Sequence, residues 1–123
     1  MRRYLEPSSD HPISIERKNT PVSVKLAGEI VLASDTHLEL SEASYPAAIY
    51  LPRESVDLSR LERSAHTTWC PYKGEAAYFH IRSRDGALIE NAVWTYETPF
   101  PAVADIKMAL AVYPGRVDAI EIG

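Results

Sequence analysis

The chain of 123 residues is 46% hydrophobic and 24% charged, with a formal charge of −4. That length suits one domain with a real core, and the composition excludes disordered and fibrous classes. The acidic balance has the wrong sign for gripping nucleic acid through bulk charge, and no run approaches the ~18 apolar residues of a membrane span.

Residues 1–12 hold two prolines, Pro7 and Pro12, and no apolar periodicity, so a loosely held, flexible arm is expected there, with the single domain over 13–123. Two arginines near the start have no apolar stretch behind them, which does not read as a signal peptide. A lone cysteine, Cys70, excludes an internal disulfide framework and suits a reducing cytoplasm. From Ile13 the pattern is β-like. Val22, Val24 and Leu26 alternate with Ser23 and Lys25, Ile30 and Leu32 share a face after Gly28, and Leu38 and Leu40 alternate with Glu39 and Ser41. Three short strands on short links predict an antiparallel meander. Glu16, Arg17 and Lys18 read as a solvated cluster.

Between Tyr45-Pro46 and Leu51-Pro52 the apolar run 47–51 predicts an edge strand, because proline removes ladder donors at both ends. Asp57 can cap a short helical turn carrying Leu58 and Leu61. Residues 64–74 then read as a long non-periodic connection. Residues 75–83 and 87–97 form the strongest hairpin signal, joined by Asp85-Gly86, whose positive φ angles suit a type I′ turn. His80 reads as a cross-strand surface residue. Pro101 opens a short helix over 102–107, and 109–113 and 117–122 read as a final hairpin around Pro114-Gly115-Arg116. About eight short strands and one or two short helices predict an all-β domain of antiparallel strands, with no βαβ unit.

The unusual chemistry lies in His66-Thr-Thr-Trp-Cys-Pro-Tyr-Lys-Gly-Glu75, where an imidazole, an indole, a thiol, a phenol, an ammonium and a carboxylate fall within ten residues. Cys70 is a candidate nucleophile, with His66 or Lys73 supplying the charge that lowers its pKa; the alternative is a buried thiol acting as a small hydrophobe. Trp69, Tyr72, Trp94 and Tyr96 could line an aromatic cleft with Lys73 or Arg53 as anion anchors, and Glu75 joins them as a candidate ligand contact. Alternatively, Trp94 and Tyr96 are core residues on a sheet face. One cysteine and the scattered histidines His11, His37, His66 and His80 do not make a zinc site, and no cofactor motif is present.

Thr68-Trp-Cys-Pro-Tyr-Lys-Gly-Glu75, followed by Tyr78, Trp94-Thr-Tyr96 and Pro99, and preceded by Tyr50-Leu-Pro-Arg53 and Val56, resembles the DUF427 family of small, mostly bacterial proteins. The resemblance implies a β-tent fold similar to that of the Mss4 exchange factor and methionine sulfoxide reductase B. That wider group often binds zinc through two Cys-x-x-Cys pairs, both missing here, so no metal follows. The expected function is binding of a small anionic or planar metabolite. The alternatives are an enzyme using Cys70 as nucleophile or redox thiol, and a structural or partner-binding domain. The sequence leaves the oligomeric state open.

Overall fold

Alternation along the central strands decides the architecture, because each strand carries apolar residues on both faces. In the computed structural model, which describes residues 2–123, ten strands form two antiparallel sheets. They are β1 (Ile13–Lys18), β2 (Val22–Leu26), β3 (Glu29–Ser34), β4 (His37–Glu42), β5 (Ala48–Leu51), β6 (Leu61–Cys70), β7 (Gly74–Arg82), β8 (Leu88–Thr95), β9 (Leu110–Val112) and β10 (Ala119–Ile122). The larger sheet has the order β1-β4-β5-β9-β8-β7-β6, and the smaller one β10-β2-β3. No helix among the described residues is long and apolar enough to cross a membrane.

Leu51, Leu110 and Val93 point from the larger sheet into a core shared with Val22, Val24 and Leu32 of the smaller one. Their neighbours Tyr50, Ala111 and Trp94 point to the opposite face, into a second core with Leu40, Tyr78, Tyr96, Val103 and Ile106. Burial on both faces is why the central strands read as continuous apolar runs instead of a clean period of two. Register places Tyr50 opposite Ala111, Ala111 opposite Trp94, and Trp94 opposite Tyr78, a single row across four strands. The small Ala111 lets rings two strands apart meet, so the Trp94 indole N–H donates to the Tyr50 hydroxyl at 3.1 Å.

Several expectations are corrected. The meander stops after β3: β4 leaves for the larger sheet, where it pairs with β1 and β5. Residues 48–51 form an interior strand, since the prolines lie outside its ladder to β4 and β9. The expected connection at 64–74 is mostly strand β6, the sheet's last, followed by a tight turn into β7. β9 and β10 are not a hairpin: the 3-10 turn at Pro114–Arg116 carries the chain from one sheet to the other. At the hairpin tip only Gly86 has positive φ (88°), so the turn is a three-residue loop and not type I′. The helical signals become 3-10 turns. Asp57 does cap one of them, accepting from the Ser59 amide at 2.9 Å. Pro101 opens another, broken at Val103.

His80 has a structural role at a bulge in β8. Its Nδ1 accepts from the Asn91 amide at 2.9 Å, where Asn91 takes a left-handed φ of 51°. The bulge re-phases the strand, so Ile89, Ala92 and Val93 all reach the first core.

Leu110 is fully buried where the two sheets meet. Leu110→Ala is expected to lower stability by about 2–5 kcal/mol through the cavity it leaves, read from urea unfolding.

Candidate binding site

The ends of the larger sheet's strand order meet across its second face. The β6–β7 turn, Pro71-Tyr72-Lys73, reaches back to the β1–β4 edge, and two contacts tie it there. Lys73 Nζ donates to Glu42 Oε1, with the two side chains only 10% and 15% exposed. Tyr72 stacks flat on His11, ring centroids 3.9 Å apart, and His11 Nε2 donates to the other Glu42 oxygen at 2.7 Å. The turn itself is fixed by the Lys73 amide donating to Cys70 O at 3.3 Å and the Phe100 amide donating to Lys73 O at 3.0 Å. Gly74 follows with φ of 108°, and a Cβ there would sit 3.5 Å from Thr98 O, so a side chain would be strained by its backbone more than by crowding.

Burial pushes the Glu42 carboxyl up, but the hydrogen bonds and charges of Lys73 and His11 outweigh it and hold the group below the ordinary glutamate value. Beside this pair lies a cavity of about 230 Å³, walled by Tyr50, Tyr78, Trp94, Tyr96 and Tyr113, with Tyr45 and Pro46 at its edge. Tyr113 tilts over Trp94 at 4.3 Å. Tyr78 OH is shared with Thr68 Oγ1 at 2.9 Å and with Tyr113 OH at 3.4 Å. Tyr96, 6% exposed, lines the cavity, and its hydroxyl has no hydrogen-bond partner among the described residues. Burial pushes the Tyr50, Tyr96 and Tyr113 phenols well above the ordinary tyrosine range, so all three stay neutral O–H donors.

Of the residues singled out from sequence, Lys73, Trp94 and Tyr96 come together at this cavity. Cys70, half-buried at the end of β6, packs against the same core. His66 lies on the exposed middle of β6 with its ring 4.6 Å from Tyr78, and four residues of extended strand separate it from Cys70 by about 13 Å. Tyr72 acts through His11. Trp69 and Glu75, opposite one another in register, face the N-terminal segment instead. Trp69 Nε1 donates to Arg3 O at 2.8 Å, Arg2 sits over the indole at 4.7 Å, and Arg2 pairs with Glu75 at 3.1 Å. The Leu5 amide adds a bond to Pro71 O at 2.8 Å, so the segment expected as a flexible arm lies along the outside of the turn. Arg53 is elsewhere, donating to Met108 O at 2.8 Å and Thr95 Oγ1 at 3.1 Å and pairing with Glu97 at 3.4 Å.

Sequence reasoning did not single out Glu42, Tyr50, Tyr78, Tyr113 or His11 as site residues. Tyr50 sits in a continuous apolar run, which gives no sign of which face its ring takes. Glu42 gives no local signal, since its partner Lys73 lies 31 residues away.

The chain belongs to the family described as a domain of unknown function (DUF427), whose model matches residues 14–123. No curated protein matches it.

A depressed carboxyl value means the Glu42 pair contributes fully above the ordinary value of 4.5 and is lost as pH falls through the lower folded value. As pH falls from 4.5 through that lower value the native chain should therefore lose more stability than Glu42→Gln. At neutral pH Glu42→Gln should be less stable by roughly 3 kcal/mol, because Lys73 stays buried without its counter-ion. Urea unfolding across pH checks both expectations; superimposable pH profiles would contradict them.

Proposed function

We propose that this DUF427 domain binds a small planar molecule of single-ring size in the cavity between Tyr50, Trp94, Tyr96 and Lys73. The observation that carries this reading is the wall of aromatic rings around a space of about 230 Å³ whose one charged pair, Lys73 and Glu42, is internally neutralised. Drug-sized ligands occupy about 300–1,000 Å³, so this cavity suits something smaller. An anion would have to displace a buried carboxylate from Lys73, whereas a neutral ring stacks on Trp94 or Tyr113 at no such cost. The free Tyr96 hydroxyl supplies a donor that orients a carbonyl or ring nitrogen.

The two-sheet antiparallel arrangement supports the β-tent relationship, and the net charge of −4 favours a small ligand over nucleic acid. A chain with one cysteine fits a reducing cytoplasm. Thiol catalysis has less support: His66 lies too far along its strand from Cys70, and Lys73 is committed to Glu42.

Trp69→Phe leaves Trp94 as the sole indole and a reporter inside the cavity. Titration with phenol, nicotinamide and uracil should give saturable change in Trp94 fluorescence for at least one ring, with benzoate weaker than benzamide. Tyr96→Phe should weaken that binding about fivefold, the worth of one neutral hydrogen bond. No saturable change, or affinity unmoved by Tyr96→Phe, would overturn the reading.

A further inference from the structure

At the other end of the β1–β4 ladder, a cleft of about 340 Å³ lies between Arg17 of β1, His37 at the start of β4, the 3-10 turn holding Arg53 and Glu54, and the segment holding Asp105 and Lys107. It shares no lining residue with the aromatic cavity. His37 is 1% exposed, and its Nδ1 lies 2.9 Å from Thr20 O. A carbonyl only accepts, so Nδ1 carries the proton, and in a neutral ring Nε2 is then the acceptor. Nε2 forms no hydrogen bond among the described residues, and His37 lines the cleft.

Three cations line the same cleft. Arg53 is held in place by its bonds to Met108 O and Thr95 Oγ1 and is paired with Glu97. Arg17 and Lys107 form no ion pair among the described residues, and neither do the acids Glu54 and Asp105. The cleft thus offers cationic donors for one oxyanion and three acceptors, His37 Nε2 and two carboxylates, for hydroxyl groups. Carboxylates beside the cations would repel a bare anion, but they suit a ligand whose anionic group is joined to several O–H donors.

We propose that this cleft is a second binding site, for a hydroxylated oxyanion of the sugar-phosphate or sugar-acid class. The oxyanion sits among Arg17, Arg53 and Lys107, and the hydroxyls face His37, Glu54 and Asp105. Its volume falls within the usual range for small-molecule sites, about 300–1,000 Å³.

The test is a titration followed by NMR, with glucose 6-phosphate, gluconate and inorganic phosphate as probes. Saturable shifts at the His37 ring, with no change in Trp94 fluorescence, are expected for glucose 6-phosphate or gluconate, and whichever binds tighter identifies the oxyanion. Arg17→Glu and Lys107→Glu, both at exposed positions that leave the core untouched, should together weaken binding at least about tenfold, or roughly 1.4 kcal/mol. His37→Gln should weaken it in a chain whose unfolding midpoint shows it still folds. The proposal is overturned if no probe saturates, if inorganic phosphate binds as tightly as the hydroxylated probes, or if the double charge reversal leaves affinity unchanged.

Discussion

One buried ion pair, Lys73 with Glu42, joins the two ends of a seven-stranded sheet across its second face. A sheet with aromatic residues on both faces has to cover both. The smaller sheet covers one, through Val22, Val24 and Leu32. The other is covered by the 3-10 segment Pro101–Ile106, through Val103 and Ile106, and by the curl that brings the β6–β7 turn onto the β1–β4 edge. A single pair of exposed charges would contribute little to such closure. At 10% and 15% exposure, with His11 holding the second carboxylate oxygen, the Lys73–Glu42 pair is costly to break one side at a time.

The curl also explains why the cavity is aromatic. The row Tyr50, Ala111, Trp94, Tyr78 lies on the inside of the bend, with Ala111 leaving space that larger neighbours lean into. Tyr96 and Tyr113 close the flanks. Burial pushes these phenols further above the ordinary tyrosine value, so they serve as neutral hydrogen-bonding and stacking groups. Arg17 and Lys107, which form no ion pair among the described residues, line instead the separate cleft by His37.

Much of this was readable from the residues. The all-β class, β2, β3 and the 74–95 hairpin follow from alternation and from Asp85-Gly86, and Lys73, Trp94 and Tyr96 stand out by residue type. What local pattern could not give was partnership. β6 lies at the edge of its sheet and is exposed along most of its length, so it lacks the apolar alternation by which strands are recognised, and its residues 64–70 read as loop. β4 and β10 continue the chain from β3 and β9 in sequence, yet each belongs to the other sheet, a choice made by long-range packing. Arg17 reads as a solvated charge and Glu42 carries no local signal, because the significance of each depends on what the fold brings beside it. Arg53 was grouped with Lys73 on chemistry alone, and the curl places them at different openings.

The closure itself is most directly tested by a double-mutant cycle on Glu42→Gln and Lys73→Met, with each variant's stability measured by urea unfolding at neutral pH. A pair that holds the curled sheet shut predicts that the double variant is less destabilised than the sum of the single ones, by about 1–3 kcal/mol. Two single losses that simply add would show that Lys73 and Glu42 act independently, and the cavity would then owe its shape to the aromatic packing alone.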